Sequence, residues 1–224
     1  MNKPFVSVIV PTKDRLFFVL NILRNFYRQD YPKDRMELII GNDGEDFGYL
    51  LPEKDEIRYI LLPEMPIGYK RNYLCEQAKG DIIVFMDDDD FYPPERVSHA
   101  VENLNDNSVA GCSEINVYYT DLARIYTYGP FGKTHATCGT LAFTKEFFKK
   151  HRFNDKHQKS EEAFFLNNFT VPIKQLDPEK TILCMAHDSN TVDKHKFIND
   201  KYLSSKQLTD FVKTDADLNF YKKI

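Results

Sequence analysis

The stretch "IIVFMDDDDF", residues 82 to 91, decides how the rest of the chain is read. Five apolar residues run straight into four aspartates and an aromatic. A buried strand ending in Asp87, Asp88, Asp89 and Asp90 sets carboxylates side by side. At about 5 Å, neighbouring carboxylates repel by about 1 kcal/mol in water and by about 3 kcal/mol at a surface-like effective dielectric. Some partner must offset that cost, and a divalent cation is the first candidate. Strand alternation turns Asp87 and Asp89 to the same side, where hard oxygen ligands suit Mg²⁺ or Mn²⁺ held together with a diphosphate. The competing account of an isolated D-x-D is a solvated acidic loop at the start of the next helix.

Upstream of this stretch, short apolar runs alternate with helical patterns. "FVSVIV" (5–10) is β-branched and predicts a strand ended by Pro11, and "RLFFVLNILRNFYRQ" (15–29) carries apolar residues at helical spacing. "ELIIG" (37–41) and "IRYILL" (57–62) predict two further strands. "IGYKRNYLCEQAKG" (67–80) predicts a helix closed by a left-handed Gly80, with "IIVFM" as the next strand. Strands of this length between amphipathic helices imply βαβ units and a mostly parallel sheet covered on both faces. Ligands of such sheets sit beyond the carboxyl ends of the strands, which brings Thr12 to Asp14, Asn42 to Gly44 and Asp87 to Asp90 to one edge.

After the helix "PPERVSHAVENL" (93–104) the pattern changes. "SVAGCSEINVYYTD", "ARIYTYG" and "ATCGTLAFT" predict antiparallel strands with short turns. Two short helices follow in "KEFFKKH" and "SEEAFFLNNF", then a strand in "TILCMAH" and a last helix near Leu203 to Lys213. With no repeat or linker, the 224 residues are expected to form one domain, with a nucleotide half over 1–105 and an acceptor half with a C-terminal tail over 106–224.

Composition excludes several classes. At 42% hydrophobic residues the chain can bury a sizeable core. A net charge of −4 with no basic run argues against a nucleic-acid partner. Cys75, Cys112, Cys138 and Cys184 form no CxxC or Cys/His pattern and predict free thiols rather than disulfides or a zinc site. No stretch reaches transmembrane length and the first apolar run is too short for a signal peptide. The expectation is a cytoplasmic protein, or a domain of a larger one.

"VSVIVPTKDR", "GNDGED", "IGYKRNYLCEQAKGDIIVFMDDDD" and "SEEAFF", in this order and spacing, resemble a GT-A fold glycosyltransferase of the family 2 type, over roughly residues 5 to 190. The resemblance implies a Rossmann-like α/β fold with a smaller antiparallel sheet on the acceptor side. It implies an enzyme that takes a hexose from a UDP-sugar, with Mn²⁺ or Mg²⁺ as cofactor, and passes it with inversion to a hydroxyl of a glycan or protein. Carried over position by position, Pro11, Thr12 and Asp14 lie under the nucleobase, and Asp43 accepts the uracil N3 hydrogen. Lys70 and Arg71 lie against base or phosphate. Asp87 contacts ribose and metal, Asp89 ligates metal, and Asp88 or Asp90 shapes the surroundings. The Glu161–Glu162 pair stands where the family usually has Glu-Asp, with Glu162 as the base and Glu161 as the alternative.

The same resemblance returns a late histidine to the metal, and strand geometry favours His187 over His195, with Asn190 near phosphate. Gly139 would let the backbone approach sugar or acceptor. Each position also has an ordinary structural account: Asp43-Gly44 as a turn, Lys70 and Arg71 as solvated helix charges, and the glutamates as a first turn behind a capping Ser160. Tyr118, Tyr119, Tyr126, Tyr128 and Phe131 fit sugar stacking, core or a homodimer surface. Two other functions stay open: an inactive nucleotide-sugar-binding module, and a sugar-nucleotide pyrophosphorylase, whose Gly-rich loop is replaced here by "PTKDR".

Overall fold

A computed structural model describes residues 3–105, 107–158 and 160–224. Its strands are β1 (Val6–Thr12), β2 (Met36–Asn42), β3 (Ile57–Leu61), β4 (Ile82–Phe85), β5 (Val109–Gly111), β6 (Ile115–Tyr119), β7 (Arg124–Tyr128), β8 (Ala142–Thr144), β9 (Lys174–Gln175) and β10 (Leu183–Ala186). The helices are α1 (Val19–Tyr27), α2 (Ile67–Gln77), α3 (Arg96–Leu104), α4 (Lys145–Lys150), α5 (Glu161–Phe165), α6 (Leu208–Phe211) and α7 (Asp215–Tyr221).

A seven-stranded sheet runs in the order β3-β2-β1-β4-β8-β5-β9. The first four strands are parallel, with Val8 opposite Leu38 on one side and Val84 on the other. Side-chain alternation explains the two cores. Val6, Val8, Val10, Leu38, Ile40 and Val84 pack against α1 and α3, while Ile9, Ile39, Ile83 and Phe85 pack against α2, α4 and α5. Near-continuous apolar strands are what burial on both faces demands.

The last three strands of this sheet come from the second half of the chain. β8 runs antiparallel to β4 and to β5. The smaller sheet has the order β10-β6-β7: β6 and β7 form the expected antiparallel hairpin, and β10 joins β6 in parallel.

Three local expectations need correction. β1 continues through Pro11 to Thr12, because β4 pairs with β1 only as far as Ile9; at Pro11 the single neighbour is Gly41 of β2. Gly80 does not close α2, which ends at Gln77. It lies where β1 crosses, and a Cβ there would meet the Ser7 nitrogen at 2.6 Å and the Phe5 oxygen at 2.8 Å. The helix expected near Leu203 to Lys213 is only α6, four residues long, and a further helix, α7, follows behind a capping Thr214 that the sequence reading did not use. The four tyrosines of the small sheet are buried, whereas Phe131 is exposed.

Candidate active site

β4 ends at Phe85, and its chain direction carries the aspartates past the edge of the sheet. Asp88, Asp89 and Asp90 are buried, and each has its own partner. Thr12 Oγ1 donates to Asp88 at 2.5 Å, and Arg15 Nη1 reaches the other Asp88 oxygen at 3.1 Å while also pairing with Asp89. Asp89 Oδ2 further receives Asn190 Nδ2 at 3.2 Å and lies 3.3 Å from His187 Nε2. Asp90 accepts the Met185 backbone N–H at 2.7 Å, which ties the acidic segment to the small sheet. Its carbonyl accepts from Asn21 at 3.0 Å and Asn25 at 2.8 Å.

These environments split the carboxylates. Burial and then the adjacent Asp89 charge push Asp88 up to about 7. Burial also works against ionisation of Asp89, but the hydrogen bond with His187 and the Arg15 charge outweigh it and hold that carboxyl well below the usual range. Asp90 is pushed well up by burial first and by Asp89 second.

The first two loops are fastened together. Asp14 takes a left-handed backbone (φ 53°) and its Oδ1 accepts the Glu45 N–H at 2.9 Å. A Cβ at Gly44 would lie 2.3 Å from that same oxygen, so glycine permits the approach. Asp43 is buried with Oδ1 paired to Lys70 and Oδ2 accepting the Met65 N–H at 3.2 Å, while Lys70 Nζ also donates to the Thr12 carbonyl at 3.0 Å. Neither Lys70 nor Arg71 is a solvated helix charge: both are buried.

Arg71 spans two carboxylate groups. Its Nε donates to Glu161 at 2.8 Å and its Nη2 reaches Asp87 at 3.4 Å, with the guanidinium over the Phe85 ring. Its buried Nη1 has no hydrogen-bond partner among the described residues. Asp87 stays about a third exposed at its side chain, and Gly139 backs it so closely that a Cβ would meet Asp87 Oδ2 at 2.6 Å.

On α5 the two glutamates differ. Burial opposes the charge of Glu161, but Arg71 holds its carboxyl below the ordinary range. Burial pushes the Glu162 carboxyl up, a backbone N–H at the helix start partly counters it, and the Glu161 charge adds to the rise. Ser160 is no cap: it sits in the left-handed region (φ 52°) and its side chain makes no capping hydrogen bond.

One cluster thus brings together Thr12, Arg71, Asp87, Asp88, Asp89, Glu161, His187 and Asn190, with Glu162 next to Glu161. Asp43, Lys70 and Asp14 hold the adjoining loops. His195 is elsewhere, 3.2 Å from Asp121 and partly exposed. Sequence reasoning missed two members. Arg15 closes the quoted "VSVIVPTKDR", and charge balance against four aspartates was the signal for it. Cys138 has its Sγ grouped with one oxygen each of Glu161 and Glu162, all within 4.8 Å of one another, and its only flag was its neighbour Gly139.

Comparison with known proteins bears on the family and the fold. The model of the family described as glycosyl transferase family 2 matches residues 7–170. A probable glycosyltransferase of Sulfolobus acidocaldarius is 32% identical over 117 residues, 48% of this chain and 25% of that protein. A GalNAc(5)-diNAcBac-PP-undecaprenol beta-1,3-glucosyltransferase of Campylobacter jejuni is 31% identical over 121 residues, 50% of this chain and 37% of that protein. The chain therefore spans well under half the length of these curated relatives. Among solved structures, Staphylococcus aureus TarS with UDP-GlcNAc superposes with a TM-score of 0.67 at 18% identity, covering 83% of this chain and 60% of that one. A mannosyltransferase of Pyrobaculum calidifontis with GDP-Man and Mn²⁺ gives 0.61 at 17% identity, covering 85% and 59%. At such identities the likeness establishes a shared GT-A fold.

Proposed function

The chain belongs to glycosyl transferase family 2, and from that membership we propose that it is an inverting, metal-dependent transferase that moves a hexose from a UDP-sugar to a hydroxyl of a glycan or protein acceptor. The observation that carries this reading is Arg71, which joins the donor-side Asp87 to the acidic helix of Glu161 and Glu162. Donor and base are thereby parts of one network.

Glu162 acts as the base. Its neighbour Glu161 is committed to Arg71, whereas Glu162 has a raised affinity for a proton, suited to taking one from the acceptor hydroxyl as that oxygen attacks the anomeric carbon. The bond from that carbon to the diphosphate breaks on the opposite face and UDP leaves. Arg71 Nη1, without a hydrogen-bond partner among the described residues, is a donor suited to an oxygen of the substrate, and a hydrogen bond left unmade inside a protein costs about 1–3 kcal/mol.

The donor set fits a divalent cation: a carboxylate oxygen of Asp89 and His187 Nε2 lie 3.3 Å apart, with the Asp87 carboxylate on the same segment. Imidazole beside carboxylate favours Mn²⁺ over Mg²⁺. When bound, the cation would draw charge from the departing diphosphate. Asp43, held by Lys70 and by the Met65 N–H beside the Thr12 carbonyl, would accept the uracil imide hydrogen, a contact that a base lacking this hydrogen could not offer, with Pro11 and Asp14 on the adjoining loop. The UDP-GlcNAc held by TarS and the Mn²⁺ held by the mannosyltransferase support these assignments by analogy.

The test is a panel of UDP-, GDP- and dTDP-sugars with Mn²⁺, scored by slow hydrolysis of the donor, which needs no acceptor. Release of UDP from one UDP-hexose is expected. Preference for a GDP-sugar would overturn the base assignment, and absence of hydrolysis and of binding across the panel would overturn the enzyme reading.

A further inference from the structure

Four adjoining aspartates called for a cation, and the chain supplies one of its own. Arg15 Nη1 lies between Asp88, at 3.1 Å, and Asp89 Oδ2, while Nη2 donates to the Ser189 carbonyl at 2.9 Å and the guanidinium rests 5.7 Å from the Phe18 ring centre. The oxygen that Arg15 takes is the one that faces His187 Nε2 and Asn190 Nδ2. We propose that Arg15 and a divalent cation compete for Asp89, so that metal uptake exchanges one positive charge-bearer for another and releases the tie between Arg15 and the 187–190 loop.

The competition follows from geometry. A metal bound through Asp89 Oδ2 and His187 needs the lone pair that the guanidinium occupies, and both cations within a few ångströms of one oxygen would repel. Arg15 suits the place in the absence of metal. A planar fork that can reach two carboxylates and a carbonyl is something lysine cannot reproduce, and its side chain is only 17% exposed. Asp88 and Asp89 are buried too, so without a counter-charge the acidic segment would be unstable.

This inference rests on the cation site proposed above, and the experiment separates the two. Mn²⁺ alone, without nucleotide, is titrated calorimetrically into the wild type, Arg15→Gln, Arg15→Lys and the double variant Arg15→Gln/Asp89→Asn. If Arg15 leaves Asp89 free in about a tenth of the molecules, removing it tightens Mn²⁺ binding about tenfold. Arg15→Lys, which keeps the charge but loses the fork, gains about threefold, and the double variant gains nothing. Metal-free Arg15→Gln melts below the wild type, and the gap closes in saturating Mn²⁺. Equal or weaker Mn²⁺ affinity in Arg15→Gln overturns the competition while leaving the cation site standing. Parental affinity in Arg15→Lys would mean that charge at a distance, not occupancy, was removed, and also overturns it. A gain that survives in the double variant places the metal away from Asp89 and likewise defeats the competition. If neither wild type nor Arg15→Gln takes up Mn²⁺, the cation site itself is lost and the competition with it. Should Arg15→Gln fail to fold, the Arg15→Lys titration decides.

Discussion

The acidic end of β4 and the acidic start of α5 solve the same problem in opposite ways. At β4, Asp88, Asp89 and Asp90 each meet a donor from a different part of the chain: Thr12 and Arg15, His187 and Asn190, the Met185 backbone. At α5, Arg71 serves Glu161, and Glu162 is left with a carboxyl that burial makes reluctant to ionise. Carboxylates with fixed partners hold a ligand site in shape. Glu162 accepts from a backbone N–H at the helix start but has no side-chain partner among the described residues, and the proposed division between binding and base catalysis rests on that contrast.

The sharpest way to break this contrast is to exchange the two glutamates' fates. Glu162→Gln should bind donor with parental affinity and lose about 10²- to 10⁴-fold in transfer rate, read by steady-state kinetics beside calorimetry. Parental turnover would move the base role to Glu161. Arg71→Met should cost about 3–5 kcal/mol of stability in chemical denaturation, because it strands Glu161 as a buried, unpaired carboxylate and takes the guanidinium away from the partly exposed Asp87. A loss below about 1 kcal/mol would mean that Arg71 does not hold the two acids together. Asp89→Asn should remove Mn²⁺-dependent UDP-sugar binding, and unchanged calorimetric affinity with Mn²⁺ would count against Asp89 as a ligand.

Acidity gives a finer test. The Glu162 carboxyl is raised, so its basic form is lost while pH is still above the ordinary carboxylate range; the acid limb of the transfer rate against pH should lie there too. Removing the neighbouring charge in Glu161→Gln should move that limb downward, and an unmoved limb would deny the coupling. The smallest effect is at the helix starts. Thr144 accepts the Phe147 N–H at 3.1 Å, and Thr144→Ala should cost about 1 kcal/mol in thermal melts, whereas Ser160→Ala, with no such bond to lose, should change stability by no more than a few tenths.

The parallel half of the fold was legible because its physics is local. Apolar runs of four to seven residues between amphipathic helices leave few topologies, and the polar loops at the strand ends meet at one edge as their positions imply. The resemblance then supplied roles. What stayed hidden depended on distance across the fold. Nothing in "KRN" says that Lys70 turns to Asp43 while Arg71 turns to Glu161, ninety residues on. Pro11 reads as a strand end until the short reach of β4 is known, and Ser160 reads as a cap until its backbone is seen to be left-handed. The Thr214 cap of α7 lay in a tail that the pattern rendered as one helix.

That tail helix has a reach out of proportion to its seven residues. Tyr221, fully buried on α7, donates its hydroxyl to Asn21 and comes within 3.3 Å of the Asp90 carbonyl, the same oxygen that Asn21 and Asn25 grip. A polypeptide shortened ahead of α7 would retain every acid named above and still lose the clasp on their backbone. Deletion at the tail and substitution at the acids would then silence an assay alike, one by slackening the frame and the other by emptying it.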